Sequence, residues 1–209
     1  VTRVSEITAK DVADLRKVTG AGMMDAKRAL VDTGGDVEKA KDLLREQGLA
    51  AAGKRSDRVT TEGTIGHYLH FQADRPVMGV LVELASETDF VAKSDGFQDA
   101  AKDIAMHIAA ARPLWVEREE VPADILEKER QLIGAQARNE GKPDHIVEKI
   151  VDGRINSFYA DNVLYDQEFV RSEKFEGTVG EMVKGLAGSM GENITVRRFV
   201  RIAVGETSE

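Results

Sequence analysis

The sequence predicts an α+β protein led by a small helical bundle. Three observations carry that prediction. Three short stretches with helical apolar spacing, punctuated by glycine, fill the first 48 residues; β-branched and aromatic alternation begins abruptly after residue 62; and the same alternation returns at Ile194–Val204 after four further helical stretches. The order β-β-α-α-α-α-β lets the last strand complete a small antiparallel sheet with the early hairpin.

Thr8 followed by Asp11 reads as a helix start, and Val12, Leu15 and Val18 recur at helical spacing as far as Thr19-Gly20. Met23 to Thr33 is the second helix, with Met23, Ala26, Leu30 and Val31 as core positions and Gly34-Gly35 as its stop. Asp36 caps a third, whose stripe is Val37, Ala40, Leu43 and Leu44 and which Gly48 is expected to close. Residues 49–62 lose periodicity and read as a linker with a solvated basic pair, Lys54-Arg55. The domains expected are 1–54, the bundle, and 55–209, the α+β core.

Thr64–Phe71 and Val77–Leu84 form a hairpin about Ala73-Asp74-Arg75-Pro76. Val80, Val82 and Leu84 make one face apolar throughout, and the other, with Leu81 and Glu83, is apolar only in part, as in a helix-covered sheet. Phe97, Ala101, Ile104, Ala105 and Ile108 mark an amphipathic helix over Gly96–Ala111 that ends at Arg112-Pro113. Pro122 and Pro143 each open a helix, the first stopped by Gly141 and the second carrying Ile146, Ile150 and Ile155, so the two form a helical hairpin. Thr178–Met190 is the last helix.

Composition narrows the function. The chain has 209 residues, 42% of them hydrophobic and 32% charged, which fits one or two globular domains. With no Cys, disulfides, thiolate nucleophiles and Cys-ligated metals are excluded. The net charge is −8, and residues 1–55 are nearly neutral, with 11 Lys/Arg against 9 Asp/Glu, so a phosphate-neutralising footprint is missing and a protein is expected as partner rather than nucleic acid. Uncharged stretches such as Ile104–Ala111 are too short to span a membrane, and Val1–Lys10, with Arg3, Glu6 and Lys10, does not read as a signal peptide; the expected location is cytoplasmic.

Enzyme signatures are weak. Thr19-Gly20-Ala21-Gly22 lacks the Gly-Lys-Ser/Thr ending of a phosphate loop and follows a helix, so it reads as a tight turn. His67 and His70 are three apart on a strand and face opposite ways, while His107 and His145 stand alone, so no metal site is expected. Two features depart from core logic. Met23-Met24 opens the second helix, where two successive long apolar side chains cannot share one core, and exposed Met suits an adaptable partner surface. Ser86-Glu87-Thr88-Asp89-Phe90-Val91 leaves a strand as a loop carrying a large aromatic beside an acid; its bland reading tucks Phe90 back while Thr88 or Asp89 caps the next helix.

Leu15-Arg16-Lys17-Val18-Thr19-Gly20-Ala21-Gly22-Met23-Met24-Asp25-Ala26-Lys27-Arg28-Ala29-Leu30, then Glu87 to Lys93, Ala105-Met106-His107, Glu140-Gly141-Lys142-Pro143 and Lys149 to Arg154 resemble the translation elongation factor Ts family, in order along nearly the whole chain. The length is similar to short members that lack the second core subdomain and the long coiled-coil insertion. The resemblance implies a guanine-nucleotide exchange factor, not an enzyme and without a cofactor, that binds elongation factor Tu carrying GDP and expels the nucleotide. It implies that the bundle is a ubiquitin-associated-like domain docking through Met23, Met24, Arg16 and Lys27. It further implies that Thr88, Asp89, Phe90 and Val91 dislocate the partner's Mg²⁺, with Asp89 and Phe90 as a wedge, and that His107 is a contact on the core helix. Short members resemble two-fold dimers built through the core sheet; Val200 stands where some carry Cys, so an inter-subunit disulfide is impossible here. The rival readings are an adaptor using the same bundle without exchange activity and a small enzyme of unknown type.

Overall fold

The structure, a computed structural model, describes residues 7–19 and 21–206; the expectations for residues 1–6 and for Gly20 fall outside the described residues. Helices α1 (Ala9–Thr19), α2 (Met23–Asp32) and α3 (Val37–Gly53) are followed by strands β1 (Glu62–Gln72) and β2 (Arg75–Ser86). Then come α4 (Asp89–Ala92), α5 (Asp95–Ala111), α6 (Ala123–Asn139), α7 (Asp144–Asn162), α8 (Val179–Met190) and β3 (Thr195–Ala203). The sheet order is β1-β2-β3, which makes this the mixed α+β architecture that the element pattern predicts. Among the described residues no helix is long and apolar enough to cross a membrane.

The chain divides into two compact units: one made of residues up to Thr64 with Leu84–Asp99 and Glu181–Thr195, the other of Ile65–Glu83, Ala100–Gly180 and Val196 onward. In the first unit the helix ends are set by their own side chains. Thr8 and Asp11 form a reciprocal cap, the Asp11 carboxylate accepting the Thr8 N–H at 2.8 Å and the Thr8 hydroxyl accepting the Asp11 N–H at 3.2 Å. The Asp36 carboxylate accepts the Lys39 N–H at 3.1 Å. After α2, the Gly35 N–H reaches back to Leu30 O at 2.8 Å and the Gly34 N–H to Val31 O at 3.1 Å, the paired bonds of a helix stop. Val12, Leu15, Ala26, Ala29, Leu30, Ala40 and Leu44 then close one apolar cluster.

Three expectations change here. Met23 and Val31 are exposed, because Ala26, Ala29 and Leu30 complete the buried face of α2 without them. Gly48 does not end α3, which runs on to Gly53; instead it lies against Gly188 of α8, where a Cβ on Gly188 would fall 2.6 Å from the Gly48 Cα. A glycine inside a helical pattern thus marks close packing of two helices rather than a stop. Arg55 is half-buried, not solvated, in the turns that follow α3, and its Nη1 is buried without a hydrogen-bond partner among the described residues.

In the second unit β1 and β2 join through the two-residue turn Ala73-Asp74, with Ala73 at φ 53°. Val80 and Val82 on β2 are buried, and Leu81, between them, is exposed, so the sheet has one covered and one open face. The open face carries Ile65, Leu69, Phe71, Leu81, Val200 and Ile202. All five core positions predicted on α5 are fully buried, and each large one, such as Ile104, contributes about 1.5–3 kcal/mol of hydrophobic stabilisation. That packing is close because Gly66 on β1 has no side chain: a Cβ there would lie 2.2 Å from the Ala101 carbonyl oxygen of α5. The Tyr165 hydroxyl accepts the Val196 N–H at 2.7 Å, and burial pushes its pKa up to about 12, so it stays a neutral anchor for β3.

Gly66→Ala is expected to lower stability by about 1–3 kcal/mol, the usual cost of overpacking, read as a lower urea midpoint at unchanged m. An unaltered midpoint would show that α5 moves aside without cost.

Candidate partner-binding surface

The bundle presents an apolar and basic face. Met23 and Met24 are 60% and 67% exposed, and Lys27 is exposed one turn on. Met24, Lys27, Arg28 and Val31 follow the i, i+3, i+4, i+7 pattern of one helix side, so Val31, which periodicity assigns to the core, extends this face. Arg16 is also exposed; its Nε donates to Ala21 O at 3.3 Å, which ties the end of α1 to the start of α2. Thr19 adds to the same joint, its hydroxyl donating to Leu15 O at 2.8 Å and accepting the Ala21 N–H at 3.3 Å.

The segment after β2 is not a loop but a capped turn of helix, α4, because Thr88 serves as N-cap and accepts the Val91 N–H at 3.4 Å. Both capping and exposure result: Thr88 caps, yet Phe90 is not tucked back and stands 82% exposed. On either side of it the chain is anchored. Val91 and Ala92 are buried, and buried Ser86 donates its hydroxyl to Thr88 O at 3.0 Å. Asp89 pairs with Lys93 at 2.5 Å across one turn, and this hydrogen bond holds the Asp89 carboxyl below the usual carboxylate range. The result is an aromatic ring with an ionised acid beside it, projected into water from a fixed frame.

Sequence reasoning missed what holds that frame. Glu192, just past α8, accepts hydrogen bonds from Glu87 N–H at 3.1 Å, Thr88 N–H at 3.0 Å and the Thr88 hydroxyl at 2.5 Å. Asn193 donates its own N–H to Glu87 at 2.6 Å and its amide to Ser56 O and Arg58 O at 3.1 and 2.7 Å. The partners are 104 to 137 residues apart in sequence, and no local pattern signals them.

His107 belongs to the other unit and has 0% exposure, so in this structure it offers no surface to a partner. Its Nδ1 accepts the Val170 N–H at 3.3 Å; the neutral ring therefore carries its proton on Nε2, which donates to Gln167 Oε1 at 2.9 Å. Gln167 is oriented in turn by donating to Asp161 O at 2.8 Å, and Phe169 stacks on the imidazole at 5.8 Å. Burial lowers the His107 pKa, and protonation at Nδ1 would also break the Val170 bond. His67 and His70 are exposed on opposite faces of β1, and among the described residues no cluster of His, Asp and Glu has the makings of a metal site.

The α+β scaffold thus displays a methionine pair on one helix and an anchored, solvent-facing phenylalanine on a short turn, apolar groups of the kind that interfaces bury. The sequence matches the family model described as Elongation factor TS over residues 10–206. It is 53% identical over 200 residues to Elongation factor Ts of Geobacter metallireducens, covering 96% of this chain and 90% of that protein, and 54% identical with the same coverage to that of Geotalea uraniireducens. It is 50% identical to Elongation factor Ts of Thermoanaerobacter pseudethanolicus, covering 97% of both chains. The chain belongs to the elongation factor Ts family of translation elongation factors, which act in protein biosynthesis as nucleotide exchange factors rather than as catalysts of a chemical reaction.

The lowered His107 pKa sets a pH dependence. The unfolded state takes up a proton at the ordinary histidine value while the folded state resists, so between the lowered and the ordinary value stability rises with pH and then levels off. Urea midpoints across about pH 5–8 are expected to show this slope and to lose it in His107→Gln; a wild-type slope retained in full by that variant would assign the titration elsewhere.

Proposed function

We propose that the chain binds elongation factor Tu carrying GDP and accelerates GDP release through two contacts, and that it does so in the cytoplasm. In this reading residues 1–54 form the docking domain, with Arg16, Met23, Met24 and Lys27 at the contact, and residues 55–209 form the core domain that carries the exchange turn. Thr88, Asp89, Phe90 and Val91 disturb the Mg²⁺ and nucleotide site of the partner. His107, having no exposed surface, serves the contact indirectly by fixing the segment Gln167–Val170. The exposure of Phe90 on an otherwise anchored turn is the observation that carries the proposal.

The energetics are adequate. Burying a phenylalanine removes roughly 150–250 Å² from water, about 4–6 kcal/mol gross at about 25 cal/mol per Å², before ordering costs. The anchored turn keeps those costs low, since its backbone is already fixed. Mg²⁺ requires near-ideal octahedral geometry, so a small displacement of its ligands weakens it and leaves the phosphates to repel one another. By linkage, the factor by which the chain lowers GDP affinity is the factor by which GDP lowers the affinity of the chain, so GTP in the cell sets the direction.

The open sheet face supports a second part of the proposal, a two-fold homodimer. Ile65, Leu69, Phe71, Leu81, Val200 and Ile202 place apolar side chains from all three strands on one side of the sheet, and Arg198 pairs with Glu83 at 2.7 Å within it. A contiguous face of this kind is self-complementary under a two-fold axis.

Stopped-flow release of fluorescent GDP from elongation factor Tu is expected to accelerate strongly with the wild-type chain and to lose most of that acceleration with Phe90→Ala. Met23→Ala/Met24→Ala is expected to raise the concentration needed while leaving the saturating rate largely intact. No acceleration at saturating wild-type concentration would refute the reading. For the dimer, sedimentation velocity is expected to give twice the monomer mass for the wild type and the monomer mass for Leu81→Glu; a wild-type monomer at high concentration would refute that part.

A further inference from the structure

We propose that Glu192 is the positioning residue of the exchange turn: its carboxylate fixes the backbone from which Phe90 projects, and with Asn193 it ties that backbone to the chain segment leaving the bundle. The inference rests on the exchange reading above and adds to it a residue outside every motif that led there.

Glu192 is placed by the end of α8. The Gly191 N–H closes the helix on Ala187 O at 3.0 Å, and Gly191, at φ 75°, turns the chain sharply, so that the next side chain points at the end of β2. There one carboxylate takes three donors, two backbone N–H groups on one oxygen and the Thr88 hydroxyl on the other. The Thr88 hydroxyl donates its proton to Glu192 and accepts the Val91 N–H, so one side chain joins the carboxylate to the cap of α4 and fixes the rotamer that the cap uses. Charge-assisted bonds of this kind are roughly twice as strong as neutral ones. Without them the Glu87 and Thr88 N–H groups lose this partner, and the backbone just before Phe90 loses its direct hold on the end of α8.

The neighbouring residue extends the hold. Buried Asn193 donates to Glu87 on one side and to Ser56 O and Arg58 O on the other, while Arg58 reaches Glu87 at 3.4 Å. Glu87 therefore receives the linker and the β3 approach together, immediately before Thr88. A displacement of the turn by a fraction of its length would move the Phe90 ring away from its point of entry, and mispositioning by about 1 Å is sufficient to cost about a hundredfold in rate.

The test has two independent arms. In the free protein, amide hydrogen exchange at Glu87 and Thr88, followed by NMR, is expected to speed up by about tenfold or more in Glu192→Ala. Glu192→Gln is expected to restore most of the protection, because its Oε1 takes the two N–H groups and its Nε2 donates to the Thr88 hydroxyl. In stopped-flow GDP release, Glu192→Ala is expected to lower the saturating rate by about tenfold to a hundredfold, Glu192→Gln to recover it, and Glu192→Ala to add little in a Phe90→Ala background. Unchanged exchange at Glu87 and Thr88 in Glu192→Ala, or faster exchange with a wild-type release rate, would overturn the proposal; so would a full additive loss in the Phe90→Ala background. If the wild-type chain itself fails to release GDP, the exchange reading falls, while the amide arm still decides whether Glu192 holds the turn.

Discussion

A phenylalanine facing water has no partner of its own to fix it, so its position depends on the residues beside it. Here Phe90 stands between a hydroxyl cap and two buried side chains, Val91 and Ala92, and the backbone before it is gripped by the Glu192 carboxylate. Exposure and rigidity usually oppose each other, because the surface segments that meet solvent are those with the fewest contacts. This turn escapes that rule by giving its polar groups internal partners while the ring faces water. A ring held in that way loses little entropy when it is buried by a partner.

The same economy appears in the scaffold. Gly66 lets α5 approach the sheet to the distance of backbone contact, and the Gly48 and Gly188 pair does so for α3 and α8. Each is a place where a side chain has been removed so that two elements can meet directly, and a single methyl group there would meet main chain rather than a movable rotamer.

Buried polarity follows one plan in both units. Burial favours the neutral form of His107, and both of its ring nitrogens are engaged, one accepting from Val170 and one donating to Gln167. Asn193 has its amide and its backbone N–H satisfied by three partners. Such groups tolerate burial because each hydrogen bond they would make to water is replaced inside the protein, and they specify one arrangement because no other supplies the same set.

The sequence by itself marked Met23-Met24 as a pair that cannot share one core, though the exposure of both, like the short helix α4, came from the structure. It determined the long helices, the hairpin and the last strand. These depend on caps, glycine stops and apolar periods, which act over a few residues: Thr8 with Asp11, Asp36 with Lys39, Gly34-Gly35 after α2, and the five positions of α5 all lie within reach of local rules. It also singled out Phe90, through an aromatic beside an acid at a strand end. Only the tertiary structure decided that Phe90 faces solvent, that Val31 does too, that α3 runs through Gly48, and that His107 is sealed inside. Those outcomes turn on contacts such as Glu192 to Thr88 and His107 to Val170, between residues distant in the chain, and burial or exposure is a property of the packed whole that no short window of residues contains.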